Sequence, residues 1–444
     1  MKGHRIGAEA RGWTRGPVAS LGAAVVFLCA IALLNAQGMV LTPAGSSSLH
    51  PRLPVDFAAA VYYPARAFLD GLCPYDGPSY IARYPTPHAA SPYLPGVFLL
   101  HAPLALMPPR TASVVYEAVT IALTVVLAYV ALRLSEAKAG VALVLVVASV
   151  ILLSRPGRLN LVLGQVTLEF VLAAYVALAT ARTRPWLSAI GLAVAMFKPT
   201  FGFPLALFML ALGAWRAVVL GIAVGVVINL PLLALLSRWA GGVIVLGAQL
   251  MHTAIGMEGA AVNDPTVSPF RVDAVSLFSR LTGRSLGAVA QLLVAGIVLG
   301  VAAWVLRVRL SRDPPHQQAL AASIICCAVL LSVYHQAYDL VLLAWPFLAL
   351  VYHRVPREYD QPWVRWPLLA LFTFLTLNYL GGLAVLRRFG LLAGSSEDPA
   401  VASGPLATAL GAMNGLALFG IFGIYVGVAL LGGRRLPLPT AARV

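Results

Sequence analysis

Apolar runs of about 17–25 residues recur along nearly the whole chain, and this pattern leaves few folds open. Hydrocarbon offers no partner to a backbone N–H or C=O, so such runs span lipid only as helices or as strands of a closed barrel. The Ala/Leu/Val runs here show no period-two alternation, which excludes the barrel. Composition agrees: of 444 residues, 60% are hydrophobic and 11% charged, with a mean hydropathy of +0.86. The expected fold class is therefore all-α and polytopic, one integral membrane domain over residues 1–444 with about 12 spans.

A net charge of +15 would suggest nucleic acid in a soluble protein. Here the basic residues sit in short clusters between apolar runs, the positive-inside pattern, which points to membrane lipids and not to nucleic acid. Lys2, Arg5, Arg11 and Arg15 precede a run from about 18 to 40, too long for a signal peptide and without a small-residue cleavage site. As an uncleaved first helix it starts in the cytoplasm, which puts the stretch of about 42–94 outside.

The short run Tyr93 to Met107 contains Pro95, Gly96, His101 and Pro103. One crossing there would invert most of the later basic clusters: Arg133/Lys138, Arg182/Arg184, Arg216, Arg307/Arg309/Arg312, His353/Arg354/Arg357 and Arg434/Arg435. It is therefore expected to be re-entrant or interfacial. Trp186 to Ala214 is basic at both ends, which predicts two short helices hinged at Lys198-Pro199-Thr200. Other spans are expected at about 111–134, 217–236, 286–306, 318–334, 339–352, 366–386 and 405–431, with external loops at about 238–284 and 387–404. Cys29, Cys326 and Cys327 lie in apolar segments and Cys73 in a loop, so neither a disulfide framework nor a metal spacing emerges.

Against this background the stretch Leu53 to Tyr84 is a polar island. It holds Asp56, Asp70 and Asp76 with Arg66, Arg83 and the Tyr62-Tyr63 pair. Asp70 follows Arg66 by four residues, the spacing of a helix-surface ion pair, and Gly71 then ends the helix. Asp76 stands in an Asp-Gly turn flanked by prolines. Asp56 opens a helix and reads equally as an N-cap or as a catalytic base.

The unusual polar residues fall on one side of this topology: Asp56, His88, Arg155, Arg158, Gln165, Lys198, His252, Asp264, Arg271, Asp273, His335 and Asp339. A transporter would place such groups at the midplane, and a noncatalytic scaffold would not need them on one face. An enzyme acting on a membrane-embedded substrate would gather them at one interface. In GQVTLEF, Gln165 and Glu169 share a helix face, and Glu169 either orders helices or meets substrate. Lys198 is either a solvated hinge residue or a phosphate contact. His335 and Asp339, at i and i+4, could begin a metal site if a third ligand came from elsewhere; a histidine donating to phosphate, or a hydrogen-bonded helix end, are the other readings.

With these residues in view, five segments in order, DFAAAVYYPARAFLDGLCPY, SPYLPGVFLLHAPLALMP, LNLVLGQVTLEFVLAAYVAL, AVAMFKPTFGFPLALFML and YHQAYDLVLLAWP, resemble the GT-C glycosyltransferases that use polyprenyl-phosphate sugars. The closest likeness is to bacterial polyprenyl-phosphate-mannose-dependent alpha-mannosyltransferases. The resemblance implies an inverting transferase with Asp56 as general base, working on the external face of the plasma membrane. Its partners would be a polyprenyl-phosphate sugar donor and a glycolipid or glycan acceptor. Lys198, His335 and Arg158 would contact the donor phosphate; Tyr62, Tyr63, Gln165, Tyr338 and Asp339 are assigned to substrate. The paired acidic motif of metal-using relatives is missing from the first loop, so no metal or other cofactor is expected. Arabinose or another sugar on the same carrier would demand similar chemistry.

Overall fold

The computed structural model describes residues 17–41, 53–86, 93–259, 263–310, 315–393, 401–402 and 404–431. His88, the basic residues before 17, Arg312 and Arg434/Arg435 lie outside the described residues. The described chain is almost wholly helical. After α1 (Pro17–Leu41), the polar island forms a π-helical turn (Phe57–Tyr62), α2 (Tyr63–Leu69) and α3 (Gly77–Arg83). Then come α4 (Gly96–Ala105), α5 (Pro109–Leu134), α6 (Val141–Leu153), α7 (Arg155–Leu163), α8 (Thr167–Thr180), α9 (Pro185–Ala195), α10 (Pro199–Ala211) and α11 (Trp215–Ala240). The rest comprises α12 (Val243–Gly259), α13 (Ala274–Thr282), α14 (Ala288–Val305), α15 (Pro315–Ser332), a 3-10 turn (Ala337–Leu343), α16 (Ala344–Val351), α17 (Pro362–Leu377), α18 (Leu383–Arg388) and α19 (Gly404–Leu431). The two-residue strands β1 (Leu392–Ala393) and β2 (Val401–Ala402) pair antiparallel.

By length and composition, four of the described helices can cross a membrane: α5, α11, α14 with its extension to Val308, and α19. The pair α6 and α7, bent by 75° at Ser154, is either a fifth, broken span or a re-entrant loop. The expected count of about 12 is not reached because several apolar runs break into helices of 10–17 residues. Two of the breaks have a local cause. At Ser154 the hydroxyl accepts from the Gly157 N–H at 3.0 Å, and Pro156 occupies the first turn of α7. At Phe197-Lys198, Pro199 starts α10, splitting 186–214 into the two expected short helices. The run 366–386 stops at Leu377, and the loop expected at 238–284 is largely helical, as α12 and α13.

Long-range bonds fix which helix ends lie together. The start of α8, the α9–α10 hinge and the 3-10 turn meet where Asp339 takes hydrogen bonds from Thr167 at 3.0 Å and Lys198 at 2.6 Å. Arg182 donates to the Leu212 carbonyl, Gln318 to Ala179, and Arg354 pairs with Glu136, which gathers the other ends of α5, α8, α10, α15 and α16. Trp186, Trp215, Trp304, Trp363 and Trp366 are exposed at this second end, with Arg216 over the Trp215 ring and Arg365 over Trp366. An exposed tryptophan belt with arginines suits the level where lipid headgroups meet hydrocarbon. Helix α4 has ten residues, and both its ends are tied to the polar island: Tyr75 donates to Tyr93 O before it, and Tyr62 to Met107 O after it.

Candidate active site

Asp56 lies in the first turn leading into the π-helical segment, with helical backbone (φ −79°, ψ −28°) and no capping bond from its side chain. The N-cap reading is thus corrected: a cap needs extended backbone, and this residue is already inside the helix. Its carboxylate instead accepts from Gln165 Nε2 at 2.5 Å. Because a carboxylate only accepts, the Gln165 amide nitrogen must face it. Gly164 makes this approach possible. It closes α7 in the left-handed conformation (φ +70°), and a Cβ there would come within 2.5 Å of the Phe57 Cβ.

Close by lies a second group, centred on Asp339. Its Oδ1 accepts from Lys198 Nζ at 2.6 Å and Thr167 Oγ1 at 3.0 Å. Its Oδ2 faces His335 Nδ1 at 2.9 Å and accepts from the Gln336 N–H at 3.2 Å. His335 Nε2 faces the Thr200 carbonyl at 3.3 Å. Both ring nitrogens look at acceptors, and only the imidazolium form can donate to both. Lys198 is 4% exposed, so the solvated-hinge reading fails; its ammonium rests over the rings of Phe201 and Tyr338 at 4.8 and 5.3 Å. Gln165 bonds to Asp56 and Thr167, two residues on, bonds to Asp339, which brings the two groups into one neighbourhood. The arrangement is a carboxylate held by an amide beside an ammonium and an imidazole that share another carboxylate. It can take a proton on one side and stabilise negative charge on the other.

The other expected site residues have these surroundings. The Tyr62 hydroxyl donates to Met107 O at 2.7 Å, its ring meets Tyr63 edge-on, and both rings are buried. Tyr63 packs on Tyr84. Arg158 lies over the Tyr379 ring, 5.9 Å from its centre. Arg66 and Asp70 form the expected i,i+4 pair at 3.0 Å, and Tyr84 adds a hydrogen bond to Asp70 at 2.8 Å. Burial and that bond push the Tyr84 hydroxyl up to about 12. His335 and Asp339 are bonded to each other, and among the described residues no group of three or more His, Cys, Asp or Glu could hold a metal.

Sequence reasoning named Glu169 and Arg155 but not their partners. Glu169 Oε1 lies 3.2 Å from both His101 Nε2 and the Tyr116 hydroxyl, so it orders α4, α5 and α8. The chain beyond residue 360 carried no motif, yet it receives Arg155, whose guanidinium donates to Asn378, Gly381 and Pro269 carbonyls at 2.9–3.3 Å. The only hint in the sequence was arginine and histidine inside otherwise apolar stretches.

A model of glycosyltransferase family 87 matches residues 92–334, more than half of the chain. The match contains Gln165, Glu169 and Lys198 and stops short of Asp56 on one side and of His335 and Asp339 on the other. No curated protein and no solved structure matches.

Proposed function

Because the chain belongs to glycosyltransferase family 87, we propose that it moves a sugar, with mannose the first choice, from a polyprenyl-phosphate carrier to a hydroxyl of an envelope glycolipid or glycan. Asp56 is the general base. It removes the acceptor hydroxyl proton as that oxygen attacks the anomeric carbon from the face opposite the phosphate, so the anomeric configuration inverts. The C–O bond to the phosphate breaks and polyprenyl phosphate departs with the electron pair. A phosphate leaving group needs less protonation than an alcohol, so one carboxylate suffices.

The observation that carries this reading is the pairing of Asp56, held by Gln165, with the Lys198–Asp339–His335 group. With His335 as imidazolium, that group has one more positive charge than Asp339 neutralises. Such an excess suits the negative charge that gathers on the departing phosphate. Arg158 stays a weaker phosphate candidate, and Tyr338 a wall of the donor site. The exposed Trp/Arg belt at the other end of the bundle supports a cytoplasmic position for that end and an external, periplasmic-side position for Asp56.

The test is transfer of radiolabel from polyprenyl-phosphomannose to a membrane glycolipid extract, with polyprenyl-phosphoarabinose alongside. Asp56→Asn keeps the size and a partner for Gln165 and removes the base; transfer should fall by about 10²–10⁴-fold. A near wild-type rate would rule Asp56 out as the base, and label from arabinose alone would replace mannose as the sugar.

A further inference from the structure

We propose that Tyr116, held by Glu169 and His101, is a positioning residue for Asp56 that acts through Gln165; this rests on Asp56 being the base. Tyr116 reaches both neighbours of the carboxylate. Its ring packs on Phe57, the residue after Asp56, with centroids 5.3 Å apart. Its hydroxyl lies 3.2 Å from the Gln165 carbonyl, and the Gln165 side chain in turn donates to Asp56. Rotation or sliding of the phenol would therefore move both the backbone that carries Asp56 and the amide that orients it.

The phenol is fixed by a proton count. Its single hydrogen has two acceptors, the Gln165 carbonyl and Glu169 Oε1, each at 3.2 Å. An ionised Glu169 draws that hydrogen toward itself, while a protonated one leaves it to Gln165. His101 Nδ1 faces the Val97 carbonyl at 3.0 Å and so carries a hydrogen. Its Nε2 faces Glu169 Oε1 at 3.2 Å, which is a hydrogen bond only when His101 and Glu169 share one further proton. Glu169 Oε2 is buried without a hydrogen-bond partner among the described residues.

The charged and titratable groups around the two carboxylates come from distinct elements. Asp56 meets Gln165 from the α7–α8 link and feels Lys198 from the hinge and Tyr338 from the 3-10 turn. Glu169 meets His101 from α4 and Tyr116 from α5.

The experiment uses the full chain in lipid nanodiscs and the labelled donor that gives transfer above. Tyr116→Phe keeps the ring and removes the hydroxyl. It should lower kcat about 10- to 100-fold, as small misplacements of catalytic groups do, with KM for either substrate unchanged within about twofold. The acid limb of the kcat profile should move to higher pH, because a donor held to the ionised form lowers a carboxyl pKa and loosening that donor raises it. The double variant Tyr116→Phe with Gln165→Ala should be no slower than Gln165→Ala alone, since both lie on one path. Glu169→Gln, which still offers an oxygen to the phenol, should keep most of the rate that Glu169→Ala loses; this pair carries the test if Tyr116→Phe fails to fold. Independent, multiplying losses from Tyr116 and Gln165, an unmoved acid limb, or Glu169→Gln as slow as Glu169→Ala would each overturn the inference. Those outcomes leave Asp56 as base intact, whereas an active Asp56→Asn removes the base and leaves the coupling measurement readable.

Discussion

Two groups of buried cations sit toward the same end of this bundle, and they are neutralised in opposite ways. Arg155 donates to the carbonyls of Pro269, Asn378 and Gly381, and Arg280 to those of Ser268, Arg271 and Gly411. Their neighbour Arg271 makes a bidentate pair with Asp273 at 2.9 Å. Lys198 and His335 converge instead on one side-chain carboxylate, Asp339. A guanidinium clamped on fixed backbone carbonyls of two segments behaves as a rivet, for its partners cannot turn away without unfolding a turn. The Lys198 ammonium and the His335 imidazole are held by one side-chain carboxylate, which is free of the backbone and can turn. The same buried positive charge is thus structural in one place and suited to chemistry in the other.

Substitutions can break this contrast. The largest effect is expected from Asp339→Ala, which strands Lys198 and His335 without their carboxylate. Transfer should be lost, and stability should drop by about 3–5 kcal/mol, read as a lower thermal midpoint in detergent. An unchanged midpoint would mean that the group is not the neutralised unit described above. Arg155→Leu comes next. It leaves three carbonyls without their donor and should cost about 1–3 kcal/mol, while kcat of the folded fraction stays within about twofold. A large fall in kcat with an unchanged midpoint would move Arg155 from rivet to active site.

The smallest effect concerns Asp70, a charge at the protein surface. Burial alone would raise its carboxyl, but the hydrogen bonds from Tyr84 and Arg66 outweigh burial and hold it below the ordinary carboxylate value. Its contribution is therefore complete above the unfolded value and fades as pH falls through the lower folded one. Arg66 and Asp70 are 43% and 26% exposed, so the contribution is under about 1 kcal/mol. The midpoint difference between wild type and Asp70→Asn should close as the solution is acidified. A difference that widens in acid would reverse the sign of this reading.

How much of the molecule is legible in sequence depends on the range of the interaction. The Arg66–Asp70 pair and the hinge at Lys198-Pro199 follow from spacing and proline chemistry within a few residues. Asp56 stands out as a rare charge, but its partner Gln165 lies 109 residues away, and Lys198 lies 141 residues from Asp339. Neither pairing leaves a local trace. The same holds for Tyr62, which the sequence places beside the candidate base but whose hydroxyl partner, the Met107 carbonyl, lies 45 residues away. The span count fell short in part because a hydropathy window cannot see that Ser154 splits an apolar run.

What the sequence alone determined is the class of solvent the chain must satisfy. Long apolar runs without alternation require helices, because backbone groups in lipid must bond within their own segment. Glycine, proline and charge then mark where the helices stop. What only the tertiary structure decided is which interrupted ends meet. Side-chain pairing across 109 or 141 residues depends on helix packing and on close approaches such as Gly164 against Phe57. Those contacts are set by three-dimensional fit, which no local period encodes.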